Sequence, residues 1–392
     1  MRDTVNIFIT DNSVLFVSQT LTVGLSFEEQ SMRQISEELK ATLISNKLKE
    51  LDLDQPECVF ILSEDYYSVQ TSVESFIKKQ NNDSIHGHQL TYKSYFNTNA
   101  TSSEVCSEQS KFLFQGKKVL DYSVLPLLQN YFVSKTIIKS NTQKYMNLIS
   151  AFKKVGITYS SVIPFSEFAS FTAHNDNSKR GGETVIISFH KSKTYISVYQ
   201  DNFMQYYNNI NYGFSKIVED VSDQFNVSLK TAKKLIELYG YVFLPKKYIN
   251  FVVDVPVYGD IYVEVKLTEL SYCIRESLRN MMGILLQDAN VNDNVNFIFY
   301  SDTEIREFSK LVGLMLNADA KDLSLSQLNY QTVKNSILAM KKFEIEIANT
   351  SEKQEEEEEH IYEKNEKFSI KEKLSGLIDI HVKPWLLESE KV

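Results

Sequence analysis

Strand-like and helix-like periodicities alternate along this chain of 392 residues, and they do so twice in similar order. In the first half, Val5-Asn6-Ile7-Phe8-Ile9 and Val14-Leu15-Phe16-Val17 flank a polar turn and read as a hairpin. A helix is expected over 28–51, with Met32, Ile35, Leu39, Leu43 and Leu48 at near-helical spacing, and a buried strand at 58–62. Residues 80–118 read as long loops between short edge strands. A helix over 142–155 stops at Gly156, a strand covers 157–163, and a short helix over 165–171 precedes a loop at 174–182. The second half repeats the scheme with strands at 184–189, 194–199 and 203–211. A helix starts near Gly213, and another is capped by Ser228 and ended by Gly240. Strands at 251–257 and 261–265 precede a helix carrying Leu270, Ile274, Leu278, Met281 and Met282. A strand at 295–300 and helices at 303–316 and 330–342 complete the set. Two similar halves of mixed elements predict a layered α/β fold.

Composition narrows the function. Hydrophobic residues make up 43% and charged residues 24%, enough to bury a core. No apolar run approaches the ~18–20 residues of a membrane span. The start lacks the cationic and apolar regions of a signal peptide, so a cytoplasmic location is expected. A net charge of -9 offers no diffuse basic surface, and no nucleic-acid partner is expected. Cys58, Cys106 and Cys273 are too scattered for a disulfide framework or a zinc knuckle.

Catalytic and metal signatures are missing. His86-Gly87-His88 lacks a third nearby ligand. His174, Asp176 and Ser178 share one loop without a strand-turn-helix elbow. Asp288 and Asp293 lack the EF-hand spacing. No metal and no catalytic residue is expected. Glycine numbers only 12, about 3% against ~7% in average proteins, which leaves little material for glycine-rich phosphate loops.

The C-terminal region changes character near Glu344. Residues 351–367 include the unbroken run Glu355–Glu359, which repels itself and reads as a solvated, disordered linker. Beyond it, 368–392 regains apolar residues and holds the only tryptophan, Trp385.

The segment from Asn147 to Gly240 resembles FtsA, the actin-like bacterial division protein that ties FtsZ filaments to the membrane. Leu148-Ile149-Ser150-Ala151-Phe152-Lys153-Lys154-Val155-Gly156-Ile157 is similar to that family's "lvkavercGl". Residues 201–212 look like its "dG-l-hs-vip-gG" hairpin, and 228–240 like its "s-eeAe-lK-kyG" helix. Weaker echoes lie at 59–69 and 329–340. The PilM pilus-assembly proteins share the skeleton and stand as the alternative.

The resemblance implies a two-lobed actin-like (ribonuclease H-like) fold with a disordered acidic linker and C-terminal tail. Its parts would be a first-lobe subdomain at 1–78, an inserted FtsA-type subdomain at 79–153 and a second-lobe core at 154–227. A peptide-binding subdomain at 228–275, a second-lobe core with return helix at 276–343, a linker at 344–367 and a tail at 368–392 would follow.

The nucleotide motifs are where the chain departs. The family's D-x-G-T/S-x turn is matched by Ile9-Thr10-Asp11-Asn12-Ser13, without glycine. Its D-I-G-G-G-T-T-D turn is matched by Ser188-Phe189-His190-Lys191-Ser192-Lys193-Thr194-Tyr195, which has lost both acids and all three glycines. Its adenosine motif is matched by Tyr300-Ser301-Asp302-Thr303-Glu304-Ile305. The degenerate cofactor positions are therefore Asp11, Asn12, Ser13, Lys191, Ser192, Lys193, Thr194 and Ser301. Lys191 and Lys193 still offer charge to a phosphate, so weak ATP binding is the alternative to the expected absence of a cofactor and of ATPase activity.

The resemblance also implies partners. Lys230, Lys233, Lys234, Lys246 and Lys247 form a basic patch that is either a solvated face or the receptor for the FtsZ C-terminal peptide, with Phe251, Tyr258 and Tyr262 as apolar anchors. Self-association is implied as well. Ile370, Leu374, Leu377, Ile378 and Trp385 fall roughly on one helical face of the tail, suited to membrane or to another division protein. The expected role is a non-catalytic adaptor in cell division, peripheral on the inner face of the membrane. The alternative is a PilM-like scaffold that takes a membrane-protein peptide.

Overall fold

A computed structural model describes residues 4–10, 13–26, 36–51, 53, 56–77, 91–94, 105–114, 117–118, 130–139, 142–176, 183–258, 261–287, 295–301, 303, 305, 307–316, 320–323 and 328–364. The chain divides into two compact units. One comprises Met1–Gln70, Ser94–Glu108 and Thr136–Lys342, the other Thr71–Lys93, Gln109–Lys135 and Phe343–Val392.

The first unit contains two five-stranded sheets of one design. In the first, β1 (Thr4–Ile9), β2 (Ser13–Val17) and β3 (Thr22–Ser26) form an antiparallel meander. After α1 (Glu37–Glu50), β4 (Glu57–Leu62) lies parallel to β1. The insertion described below intervenes, and α2 (Gln143–Val155) then leads to β10 (Tyr159–Pro164), parallel to β4. The order is β10-β4-β1-β2-β3. Helix α3 (Phe165–Asp176) carries the chain to the second sheet, where β11 (Glu183–Phe189), β12 (Thr194–Gln200) and β13 (Phe203–Ile210) repeat the meander. The parallel strands are β16 (Val295–Ser301) and β17 (Ala320–Asp322), giving β13-β12-β11-β16-β17. Between them lie α4 (Phe214–Phe225), α5 (Leu229–Tyr239), a hairpin of β14 (Val252–Tyr258) and β15 (Ile261–Lys266), α6 (Leu267–Leu286) and, after β16, α7 (Phe308–Leu316). Helix α8 (Tyr330–Lys364) follows.

Each sheet is covered on both faces, and strand periodicity decides which side chains go where. Val5, Ile7, Ile9, Cys58, Phe60 and Leu62 pack against Ala41, Ile44 and Leu48 of α1 and Leu148, Ile149 and Phe152 of α2. On the opposite face, Phe8 meets Phe168 of α3 edge-on at 5.1 Å. Val185, Ile187 and Phe189 join α4, α6 and α7 in a second core. The alternate residues of that sheet meet α3, where Phe165 packs on Tyr300 at 4.4 Å.

Local chemistry sets several boundaries. Gly156 ends α2 at φ 74°, where a Cβ is costly. Asp201 and Asn202, at φ 50° and 64°, form the tight turn between β12 and β13. Ser228 caps α5 by accepting from the Thr231 N–H.

Other boundaries differ from expectation. Helix α1 starts at Glu37 because the Ser36 hydroxyl accepts the Leu39 N–H; it buries Ala41, Ile44 and Leu48 and leaves Leu39 exposed. Met32 and Ile35 lie outside the described residues. Helix α3 continues to Asp176, so His174 and Asp176 belong to a helix rather than a loop. Helix α7 begins at Phe308 rather than at residue 303, since Glu307 adopts φ 62° and breaks the turn before it. Helix α8 continues through Lys364, past the start of the acidic segment, as the strong helix propensity of Glu, Lys and Gln permits.

The insertion between β4 and α2 contains β5 (Ser68–Ile77), β6 (Thr91–Ser94), β7 (Val105–Phe114), β8 (Lys117–Lys118) and β9 (Asn130–Lys139). Their order is β5-β9-β7-β6, with β8 paired to β7. The expected short edge strands of 80–118 thus include a ten-residue strand, β7, inside a sheet.

Candidate functional site

The turn that leaves β4 carries two consecutive acids, Glu64 and Asp65, in a 3-10 turn spanning Glu64–Tyr66. Ser63 N–H bonds the Ile9 carbonyl at 3.1 Å, which ties this turn to the end of β1. The β11–β12 hairpin meets it from the second lobe. Ser188 Oγ donates to Glu64 Oε1 at 2.7 Å, and His190 Nε2 lies 3.1 Å from Glu64 Oε2. Glu64, Ser188 and His190 are each only 1% exposed. Next in line, Tyr195 donates its hydroxyl to Asp65 Oδ1 at 2.6 Å, and Lys144 stands 3.5 Å from Asp65 Oδ2. Burial, followed by the charge of Asp65, pushes the Tyr195 phenol up, so it remains a proton donor.

A third tie runs through α3. Ser166 Oγ lies 2.9 Å from Tyr67 OH and accepts from Tyr199 OH at 3.0 Å. Burial pushes both phenols up. The tyrosines remain neutral partners in a nearly dry site.

The two turns that resemble nucleotide motifs have their own internal partners. In the first, Ser13 N–H bonds Thr10 Oγ1 at 3.0 Å, while Asp11 and Asn12 lie outside the described residues. Lys40, 1% exposed, approaches the Thr10 carbonyl at 3.5 Å, donates to Tyr66 OH at 2.8 Å and pairs with Glu37 at 3.1 Å. In the second turn, the His190 and Lys191 carbonyls accept the Phe214 and Ser215 N–H groups at 3.0 and 2.8 Å. Those N–H groups open α4, so the helix start that could face an anion is already capped by the turn. Gly213 makes this contact feasible, because a Cβ there would lie 2.5 Å from the His190 carbonyl oxygen.

The residues matched to the family's nucleotide motifs lie as follows. Lys191, Ser192 and Lys193 sit on the second turn, and Lys193 lines a cavity of about 280 Å³ with Asp65, Tyr67, Tyr195 and Tyr207. Thr194 is buried, and its hydroxyl donates to the Tyr212 carbonyl at 2.6 Å. Ser301 Oγ lies 2.7 Å from Thr303 Oγ1, closing its own turn after β16. The basic patch is split between two elements. Lys230, Lys233 and Lys234 lie on α5, where Lys233 pairs with Glu237 at 3.3 Å, whereas Lys246 and Lys247 occupy a 3-10 turn before β14. Ile370, Leu374, Leu377, Ile378 and Trp385 lie outside the described residues.

Sequence reading did not single out Glu64, Asp65 and Ser166. A signal was present: Thr184, Ser188 and His190 alternate with Val185, Ile187 and Phe189, marking a polar strand face turned away from the second-lobe core.

A second cavity, about 660 Å³, lies between α4 and α6 and includes Asp220, Asp223, Glu269, Glu276 and Tyr272. Burial raises the Asp220 carboxyl, but bonds from Lys216, Ser277 and Tyr212 outweigh it and hold the group below the usual range. Among the described residues no group of three or more His, Cys, Asp or Glu is placed to hold a metal, and no helix is long and apolar enough to cross a membrane.

No protein-family model and no curated protein matches the sequence. Solved structures do match. A chain of the PilM-PilN type IV pilus biogenesis complex is similar at TM-score 0.52 and 8% identity, over 86% of this chain and 97% of that one. MreB5 of Spiroplasma citri bound to ADP is similar at TM-score 0.51 and 9% identity, over 89% and 99%. Its AMPPNP-bound form reaches TM-score 0.50 at 9% identity, over 90% and 99%. Two five-stranded sheets of one design, together with these likenesses, establish that the chain has the actin-like ATPase fold.

Proposed function

We propose that this protein is a non-catalytic actin-fold adaptor, with its lobes joined by its own side chains where related ATPases grip a nucleotide. One observation carries the reading: Ser188 and Tyr195, which stand where the family has acids, hydrogen-bond Glu64 and Asp65 of the other lobe. Acids at 188 and 195 would repel that pair, so the lost motif and the gained contacts are two sides of one change. Calorimetry with ATP and magnesium tests the proposal. No saturable heat and no phosphate release are expected, and tight binding with turnover would overturn it.

As its partner we propose the C-terminal peptide of FtsZ, received on the lysine face of α5. The resemblance of residues 147–240 to FtsA supports this, as does an inserted sheet between β4 and α2. The tail would add an attachment to membrane or to another division protein, with self-association through other faces. Retention of that peptide by immobilised protein, lost in Lys230→Glu/Lys234→Glu, is the expected result.

A second reading, a PilM-like scaffold for a peptide of a membrane protein, is favoured by the likeness to the PilM-PilN complex. Capture of such a peptide with no retention of the FtsZ peptide would select it.

A further inference from the structure

We infer that the turn Lys246–Val252, at the entrance to β14, is a contact for an anionic lipid surface. The inference is independent of which peptide α5 receives. The segment reads Lys246-Lys247-Tyr248-Ile249-Asn250-Phe251-Val252. Its aliphatic and aromatic residues are not tucked away: Ile249 is 49% exposed, Phe251 51% and Val252 43%. Three large apolar side chains left half in water within four residues mark an interaction site rather than scattered surface. Two lysines precede them directly. Among the described residues neither forms an ion pair, in contrast to Lys233, Lys216 and Lys266, each of which has a carboxylate within 4 Å.

Three features favour lipid over an acidic peptide. First, the N–H groups on either side of the exposed Ile249 are engaged within the turn: those of Tyr248, Ile249 and Phe251 bond the carbonyls of Pro245, Lys246 and Tyr248 at 2.8, 3.4 and 3.0 Å. These three donors enter a low-dielectric interface already paired, and they are not offered to an incoming strand. Second, the side chains are layered as an interface requires. Lys247 Nζ stands 4.7 Å from the Tyr248 ring centroid, and that ring meets Phe251 edge-on at 5.8 Å and Tyr241 at 6.0 Å. Ammonium, phenol and benzyl groups thus lie together, with Tyr248 anchored on the second-lobe core and Ile249, Phe251 and Val252 exposed beside it. Third, charge is graded along the hairpin. Val252 faces Lys266 across the ladder, while the acidic pair Asp254 and Glu264 comes two residues further on. Lys266 is itself paired with Glu269 at 3.0 Å, so the charge this end presents to an anionic surface is that of Lys246 and Lys247, with Asp254 and Glu264 set back along the hairpin.

The test is sedimentation of the full chain with large vesicles, either phosphatidylcholine alone or phosphatidylcholine mixed with phosphatidylglycerol. Binding is expected only to the mixed vesicles. Lys246→Gln and Lys247→Gln should each weaken it about fivefold, and Ile249→Ser/Phe251→Ser should abolish it. Asn250→Lys should tighten it, which keeps the test decisive if a loss variant folds poorly. Absence of binding to mixed vesicles overturns the inference. So does binding that none of these variants alters, since attachment then resides elsewhere in the chain. Capture of an acidic, apolar peptide that the same variants lose, without vesicle binding, assigns the turn to a protein partner and also overturns it.

Discussion

Ser188 on β11 donates to Glu64 just beyond β4 at 2.7 Å, joining two sheets through residues 124 positions apart. A buried carboxylate is tolerated only with donors around it, and Ser188 and His190 supply them here.

Changing Ser188 therefore gives graded outcomes. Ser188→Ala removes a bond to a charged acceptor and should cost about 1.5–3 kcal/mol. Ser188→Asp should cost more, since two carboxylates would then share a dry site. Ser188→Asp combined with Glu64→Gln should recover part of the loss. Urea unfolding measures each, and an aspartate variant as stable as the native chain would remove the proposed fastening.

Lys40 is the mirror case in the first lobe, a buried cation held by Glu37 and Tyr66. Lys40→Met should destabilise by about 3–5 kcal/mol, because it leaves Glu37 buried without its counter-charge. Lys40→Met/Glu37→Gln should recover most of this. If the double variant is no better than the single one, the pairing is not what stabilises the turn.

Gly213 lets the second turn lie against the start of α4. A methyl group there meets the His190 carbonyl oxygen at 2.5 Å and the Lys193 nitrogen at 2.7 Å, both backbone atoms that cannot swing aside. Gly213→Ala should cost about 1–3 kcal/mol in thermal or urea unfolding. The φ of -144° at this position is open to any residue, so an unchanged midpoint would mean that the turn shifts freely.

Asp220 provides a pH signature. Its carboxyl is held low when folded, so its contribution is present above the ordinary carboxylate pKa and lost as pH falls through the folded value. Asp220→Asn should lower stability at pH 7 by about 0.5–1 kcal/mol, a figure reduced for solvent screening. The gap from the native chain should narrow as the pH falls below the ordinary carboxylate range and close once it passes the folded value. A gap that is the same at both ends of that range contradicts the assignment.

Much of the architecture was legible because it is local. Gly156, Ser228 and Asp201-Asn202 carry their stop, cap and turn in their own backbone preferences. Where reading went astray, a neighbour intervened. Leu39 fits a helical stripe, yet the face of α1 that packs on the sheet carries Ala41, Ile44 and Leu48 and leaves Leu39 exposed. Residues 105–114 resemble an edge strand in isolation, and pairing on two sides makes them interior.

By itself the sequence determined the doubled α/β layout, the absence of glycine from the three turns that resemble nucleotide motifs, and the acidic run Glu355–Glu359. Each follows from residue type and short-range periodicity. Only the tertiary structure decided what fills the space between the motifs. Glu64 meets Ser188 and His190, and Asp65 meets Tyr195, where the turn after β4 faces the β11–β12 hairpin of the other sheet. No spacing in the chain encodes that meeting, which depends on how two sheets pack around α3.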